Sequence, residues 1–175
     1  MYYFRNYIDV SSSKYINIGI YPDAEDSWEA DYYFNGTGRN YAWGSWTSSN
    51  NNQYGINCSG SQLRMCYDNT TVNYNVSYGN KRFSLAAKIN EFWVNGVKVG
   101  QATKTTGNQA SRYFYLGNYN GSSYAGNGRV YSFKYWRHGE LVRDYIPVQR
   151  CEDNVWGFFD KARLVFQGGT QFTGG

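Results

Sequence analysis

Apolar and polar residues alternate with a period of two along much of this 175-residue chain. The clearest stretch is Ser27–Asn35, where Trp28, Ala30, Tyr32 and Phe34 fall on one side and Glu29, Asp31 and Tyr33 on the other. That period marks a half-buried strand, because successive side chains of an extended backbone point to opposite faces. Shorter runs bounded by Gly, Asn, Asp and Ser predict further strands. These are Tyr2–Tyr7, Tyr15–Ile20, Tyr41–Trp46, Tyr54–Cys58, Gln62–Tyr67, Thr71–Ser77, Lys81–Ile89, Glu91–Val94, Val97–Gly100 and Ser111–Leu116. Val130–Arg137 and Leu141–Val148 complete the set, the second expected to leave its hairpin at Pro147. Trp156, Phe158 and Phe159 should then close over a core. Two turns are predicted by their residues. Asn95-Gly96 suits a type I′ hairpin, since both residues accept positive φ, and His138-Gly139 reads as a second tight turn. No segment carries an apolar stripe of period 3.6, so no long helix is expected.

Composition supports strands. Aromatic residues are 20% of the chain, with 19 tyrosines, and Gly contributes 20 residues. Leu, Ala and Glu, which favour helices, are scarce. The length suits one domain spanning residues 1–175. A net charge of +4 is spread over single positions apart from Lys81-Arg82, which reads as a mildly basic surface and not a nucleic-acid footprint. No run reaches the roughly 18 apolar residues of a membrane span, so membrane insertion is not expected. Met1-Tyr-Tyr-Phe opens straight into structure without a basic, then apolar, leader. Release by lysis is the expectation, unless an export signal lies on a part of the protein outside this sequence. Cys58, Cys66 and Cys151 cannot all pair, and Cys58 and Cys66 would not face each other across their hairpin. Three reduced, partly buried thiols are expected. With one histidine in the chain, they do not suggest a zinc site.

The run Gly128–Val148, followed by Val155-Trp-Gly-Phe-Phe-Asp-Lys161 and a Gly-rich end, resembles the C-terminal signature of laminin-G-like, concanavalin-A-like domains of bacteria and bacteriophages. Further segments resemble the same family in order: Tyr7-Ile8 with Tyr15–Ile20, Trp28–Phe34, Tyr54-Gly-Ile56 with Leu63-Arg64, Phe92–Val97, and Leu116-Gly117-Asn118. The resemblance covers nearly the whole chain. It implies an all-β fold, a two-sheet antiparallel jelly-roll sandwich, usually serving as a non-catalytic binding or virion module. A fold alone does not name a function, because this one hosts lectins, hydrolases and adhesion modules.

Glucanases of this class carry three alternating acids on one strand, so that two carboxyls face each other about 5 Å apart. Glu29-Ala-Asp31 begins such a pattern, but Tyr33 and Phe34 stand where the third acid would be. A solvated or ion-paired role is therefore expected for Glu29 and Asp31, and no catalytic residue is assigned. His138 reads as a turn residue and not as a general base. Asp23, Glu25 and Asp26 could supply two or three oxygens to calcium, against the alternative of a polar turn, and no metal or other cofactor is assigned. Five Asn-x-Ser/Thr triplets, at Asn35, Asn57, Asn69, Asn75 and Asn120, read as compositional.

Binding is the better prospect. Two segments combine rigid aromatic rings with adaptable amides, as paratope loops do: Tyr41–Gln53 and Asn118–Asn127. Within them Tyr41, Trp46, Asn51, Gln53, Tyr119, Asn120 and Tyr124 are the candidate ligand-binding residues, while Trp43 is expected in the core. The expected function is a non-catalytic phage virion protein (decoration, fibre or tail) that adheres to glycans or stabilises the particle, in contact with other virion or surface proteins. The alternative is a carbohydrate-binding domain of an exported bacterial surface protein. A polysaccharide hydrolase is disfavoured by the missing acid. The expected setting is the virion or the cell surface, with multimeric display.

Overall fold

The computed structural model describes residues 1–46, 53–105, 108–119, 126–169 and 171–175. In chain order the strands are β1 (Tyr2–Phe4), β2 (Ile8–Val10), β3 (Ile16–Asn17), β4 (Ser27–Phe34), β5 (Asn40–Ser45), β6 (Gln53–Ser59), β7 (Gln62–Asp68) and β8 (Thr70–Asn75). They continue as β9 (Lys81–Lys88), β10 (Glu91–Val94), β11 (Val97–Gln101), β12 (Tyr115–Leu116), β13 (Gly128–Arg137), β14 (Glu140–Arg150), β15 (Trp156–Asp160) and β16 (Val165–Gly168). No helix occurs among the described residues. One sheet of ten strands runs β11-β10-β9-β4-β13-β14-β15-β16, with β1 beside β14 and β2 beside β13. A sheet of six runs β3-β12-β5-β6-β7-β8. Every described pairing is antiparallel. The architecture is the two-sheet antiparallel sandwich of jelly-roll type that the sequence predicts, with both inner faces feeding one hydrophobic cluster.

The core is aromatic because the inward positions are. On β4 the burial alternates without a break, placing Trp28, Ala30, Tyr32 and Phe34 inward. From β5 and β6 come Trp43, Tyr54 and Ile56, and from β13 come Val130, Phe133 and Tyr135. The β13 ladder slips between Val130 and Ser132, and this bulge re-phases the strand so that Val130 and Phe133, three residues apart, both point inward. Both predicted hairpin tips carry positive φ at their two central residues: +50° and +78° at Asn95 and Gly96, +48° and +87° at His138 and Gly139. The Asn95 side-chain oxygen also accepts a bond from the Ser84 backbone N–H at 3.0 Å.

Several strand boundaries differ from expectation. Tyr2–Tyr7 stops at Phe4, and Ile8–Val10 forms its own strand against β13, with Ile8 and Val10 buried and Asp9 turned outward. Tyr15–Ile20 shrinks to Ile16–Asn17, because Gly19 takes φ +74° while its N–H bonds the Asn17 side chain. Ser111–Leu116 shrinks to Tyr115–Leu116, yet Phe114 still exchanges backbone bonds with Ile18 and Ile20. Finally, β14 does leave β13 after Tyr145 but stays a strand to Arg150. Beyond Pro147, β1 takes over the vacated edge, with Phe4 opposite Val148, while β15 pairs Phe158 with Pro147 on the other side.

Candidate functional site

The outer face of the six-stranded sheet carries a hollow that no single loop builds. On β6, Tyr54, Ile56 and Cys58 enter the core, so Gln53, Gly55 and Asn57 face outward. On β7, Leu63, Met65 and Tyr67 enter the core, so Arg64 and Cys66 face outward beside them. Register places Asn57 opposite Arg64, Gly55 opposite Cys66, and Thr71 of β8 opposite Cys66 on its other side. Tyr41 of β5 is paired with Asn57. Arg39 and Trp46 flank β5. Together with Tyr119, these side chains line a hollow of about 240 Å³.

Tyr119 forms the floor. Its ring lies against Gly44 of β5 and Gly55 of β6, two neighbours in register, where an added Cβ would come within 2.3 Å and 2.8 Å of the ring. Both strands are therefore bare of side chains where the ring sits. Tyr41 packs against it at a centroid distance of 5.2 Å. The ring is 1% exposed. Its hydroxyl lies beside Cys66 and Asn57 without a hydrogen bond of acceptable geometry. Burial holds this phenol well above the usual tyrosine range, and it raises the Cys66 thiol as well. Asn57 donates to the Cys66 sulfur at 3.3 Å. Cys58, on the opposite face of the same hairpin, is pushed up to about 11 by burial. The two thiols point to opposite sides of the sheet, which is why proximity in sequence does not let them pair.

Of the candidate residues read from the sequence, Tyr41, Trp46, Gln53 and Tyr119 come together around this one hollow, although they derive from two separate segments. Asn51, Asn120 and Tyr124 lie outside the described residues. Sequence reasoning did not place Arg39, Asn57, Arg64, Cys66 or Thr71 among the ligand-binding candidates. A signal for some of them was present: Tyr54, Ile56, Leu63 and Met65 are the apolar positions of their two strands, and alternation then puts Asn57 and Arg64 on the other face.

The other candidates resolve differently. Glu29 and Asp31 stand on the outer face of the ten-stranded sheet in ion pairs, Glu29 with Lys134 at 3.5 Å and Asp31 with Arg82, whose Nε donates at 2.6 Å. The acidic turn brings Asp23 and Asp26 together with His138, and not with Glu25. Asp26 accepts from the Tyr135 hydroxyl at 2.6 Å and from the Asp23 backbone N–H at 3.0 Å. His138 Nε2 contacts Asp23 at 2.8 Å. Asp26 Oδ1 is left without a partner among the described residues, but two carboxyls and an imidazole do not make the oxygen shell of six or more ligands that calcium takes.

The His138–Asp23 contact ties the β13–β14 hairpin tip to the loop before β4 and makes stability depend on pH. The Asp23 carboxylate holds His138 above the ordinary imidazole range. Stability from the pair is complete below the unfolded-state value near 6.5 and fades as pH rises through the raised folded value. Both groups are solvent-accessible, so the effect is under about 1 kcal/mol, a few degrees at most. Thermal unfolding followed from pH 6 to 9 should show the wild-type midpoint falling, and His138→Asn, which also tolerates positive φ, should flatten that slope. An unchanged slope in the variant contradicts the assignment.

No family model matches this chain, and no curated protein matches it. Among solved structures it is similar to a mutant of Trypanosoma rangeli sialidase displaying trans-sialidase activity, at 10% identity and a TM-score of 0.48. That match covers 66% of this chain and 21% of the sialidase chain.

Proposed function

We propose that this protein is a non-catalytic, glycan-binding sandwich module of the laminin-G-like, concanavalin-A-like kind, borne in several copies on a virion. The observation that carries the reading is the hollow on the six-stranded sheet, where Tyr41 and Trp46 offer rings and Gln53, Asn57 and Thr71 offer hydrogen-bonding groups. Rings that lie against an apolar sugar face, with amides for the hydroxyls around it, are the parts that sugar recognition requires. The pairing of Glu29 with Lys134 and of Asp31 with Arg82 fits the ion-paired role expected of them, and the non-catalytic part of the reading rests on the missing third acid. A virion setting rests on the family resemblance.

A shallow site of this size holds one or two sugars through a few solvent-competing bonds. Single-site affinity in the millimolar range, about −4 kcal/mol, is the matching scale. Adhesion then depends on several linked copies, whose second contact is made at high effective concentration. A glycan array probed with a multivalent display tests this. Binding should be lost or reduced about tenfold in Tyr41→Ala and in Trp46→Ala, each with its unfolding midpoint checked. Tyr119 is a poor probe, because its removal would open a void beneath the site. Undiminished binding in both variants, or nanomolar binding by monomer, would overturn the reading.

A further inference from the structure

Arg39 and Arg64 both line the hollow, and neither is in an ion pair among the described residues. No Asp or Glu lines it. The undescribed stretches cannot supply one either: residues 47–52, 106–107, 120–125 and 170 contain no acid. The hollow therefore carries a positive charge that the protein's own side chains do not neutralise. Two donors in it also lack acceptors. Arg64 donates through Nη2 to Gln62 at 3.2 Å, but its Nε is buried without a hydrogen-bond partner. The Tyr119 hydroxyl is likewise buried without one. A guanidinium donates and never accepts, so what Arg64 Nε lacks is an acceptor.

From this we infer that the hollow selects an anionic saccharide, one whose carboxylate or sulfate group sits at the Arg39/Arg64 end with its uncharged part over Tyr41 and Trp46. The inference rests on the glycan-binding reading and narrows it. Guanidinium groups suit both anions, because their planar donors match paired oxygens. The site also has a direction. Arg64 and Asp68 are four residues, or about 13 Å, apart along β7. Asp68 lines an adjoining hollow with Gln53, Asn69, Thr70 and Thr71, and its carboxyl is buried, accepting from Asn108 at 2.6 Å. A second anionic group reaching that end would come up against the negative charge of this buried carboxyl. The preferred ligand accordingly carries its acidic sugar at one end and a neutral neighbour at the other.

The experiment compares ligands before it compares variants, so that it does not depend on any variant folding. The multivalent wild-type protein is applied to an array carrying uronic-acid, sialylated and sulfated glycans, each beside its methyl-esterified or desulfated counterpart, together with neutral glycans. Binding should favour at least one acidic glycan about tenfold over its neutralised form and should weaken from 50 to 300 mM salt. Loss on esterification identifies a carboxylate, and loss on desulfation a sulfate. Arg64→Gln and Arg39→Gln should reduce the preference, and Arg64→Lys should restore part of it. Binding confined to neutral glycans, or equal binding to the acidic and neutralised forms, overturns this inference and leaves the glycan-binding reading standing. Binding to no glycan at all overturns both.

Discussion

Replacing Trp28 with alanine should destabilise the protein by about 3–5 kcal/mol, a fall of roughly 6–20 °C in the unfolding midpoint. Trp28 is among the largest fully buried side chains. It sits where the sheets meet, 5.3 Å from the Phe114 ring, 6.0 Å from Tyr135 and 6.4 Å from Tyr54. Tyr54 belongs to the opposite sheet, so the void left by alanine would lie between the layers, where neighbouring strands cannot collapse to fill it. Trp28→Phe should cost much less. The indole Nε1–H is buried without a hydrogen-bond partner, so phenylalanine removes an unsatisfied donor while keeping most of the ring area. Urea unfolding of the two variants separates the effects. A Phe variant as unstable as the Ala variant would mean that the indole N–H is satisfied in solution.

Gly44→Ala should cost about 2–4 kcal/mol through crowding and backbone strain together. A Cβ there would come within 2.3 Å of the Tyr119 ring and 2.5 Å of the Tyr54 carbonyl oxygen, and the backbone holds φ at +153°. The first clash involves a side chain and can be relieved; the second involves neighbouring backbone and cannot. Gly44→Ala combined with Tyr119→Ser should therefore be less destabilised than the sum of the two single changes, with a coupling of about 1 kcal/mol. It should not return to wild-type stability. Strict additivity in the double-mutant cycle would place the Tyr119 ring elsewhere. Because Tyr119 is the floor of the hollow, Gly44→Ala should also weaken the proposed glycan binding under conditions where the protein is still folded.

Much of the architecture follows from local rules that the sequence states openly. The inward set of β4 needs only a period of two, and the hairpin tips at Asn95-Gly96 and His138-Gly139 need only residues that tolerate positive φ. Local rules were less informative where pairing is short or irregular. The strand Ile8–Val10 is a strand because β13 lies beside it, and the bulge at Tyr131 is visible only against β4. Propensity cannot anticipate either, since each depends on a partner remote in sequence.

The candidate site divides along the same line. Sequence alone identified two aromatic, amide-rich segments, and with them Tyr41, Trp46, Gln53 and Tyr119, because those residue types are the chemistry of weak polar recognition. Their meeting around one hollow is a tertiary matter. It depends on β5, β6 and β7 lying side by side in register, and on Gly44 and Gly55 falling next to each other so that a ring from the segment after β12 can rest on bare backbone. The charge of the hollow was also decided there. Arg39 and Arg64 are two single cations in a chain that scatters its charges, and only the fold sets both of them away from every carboxylate that could have paired with them.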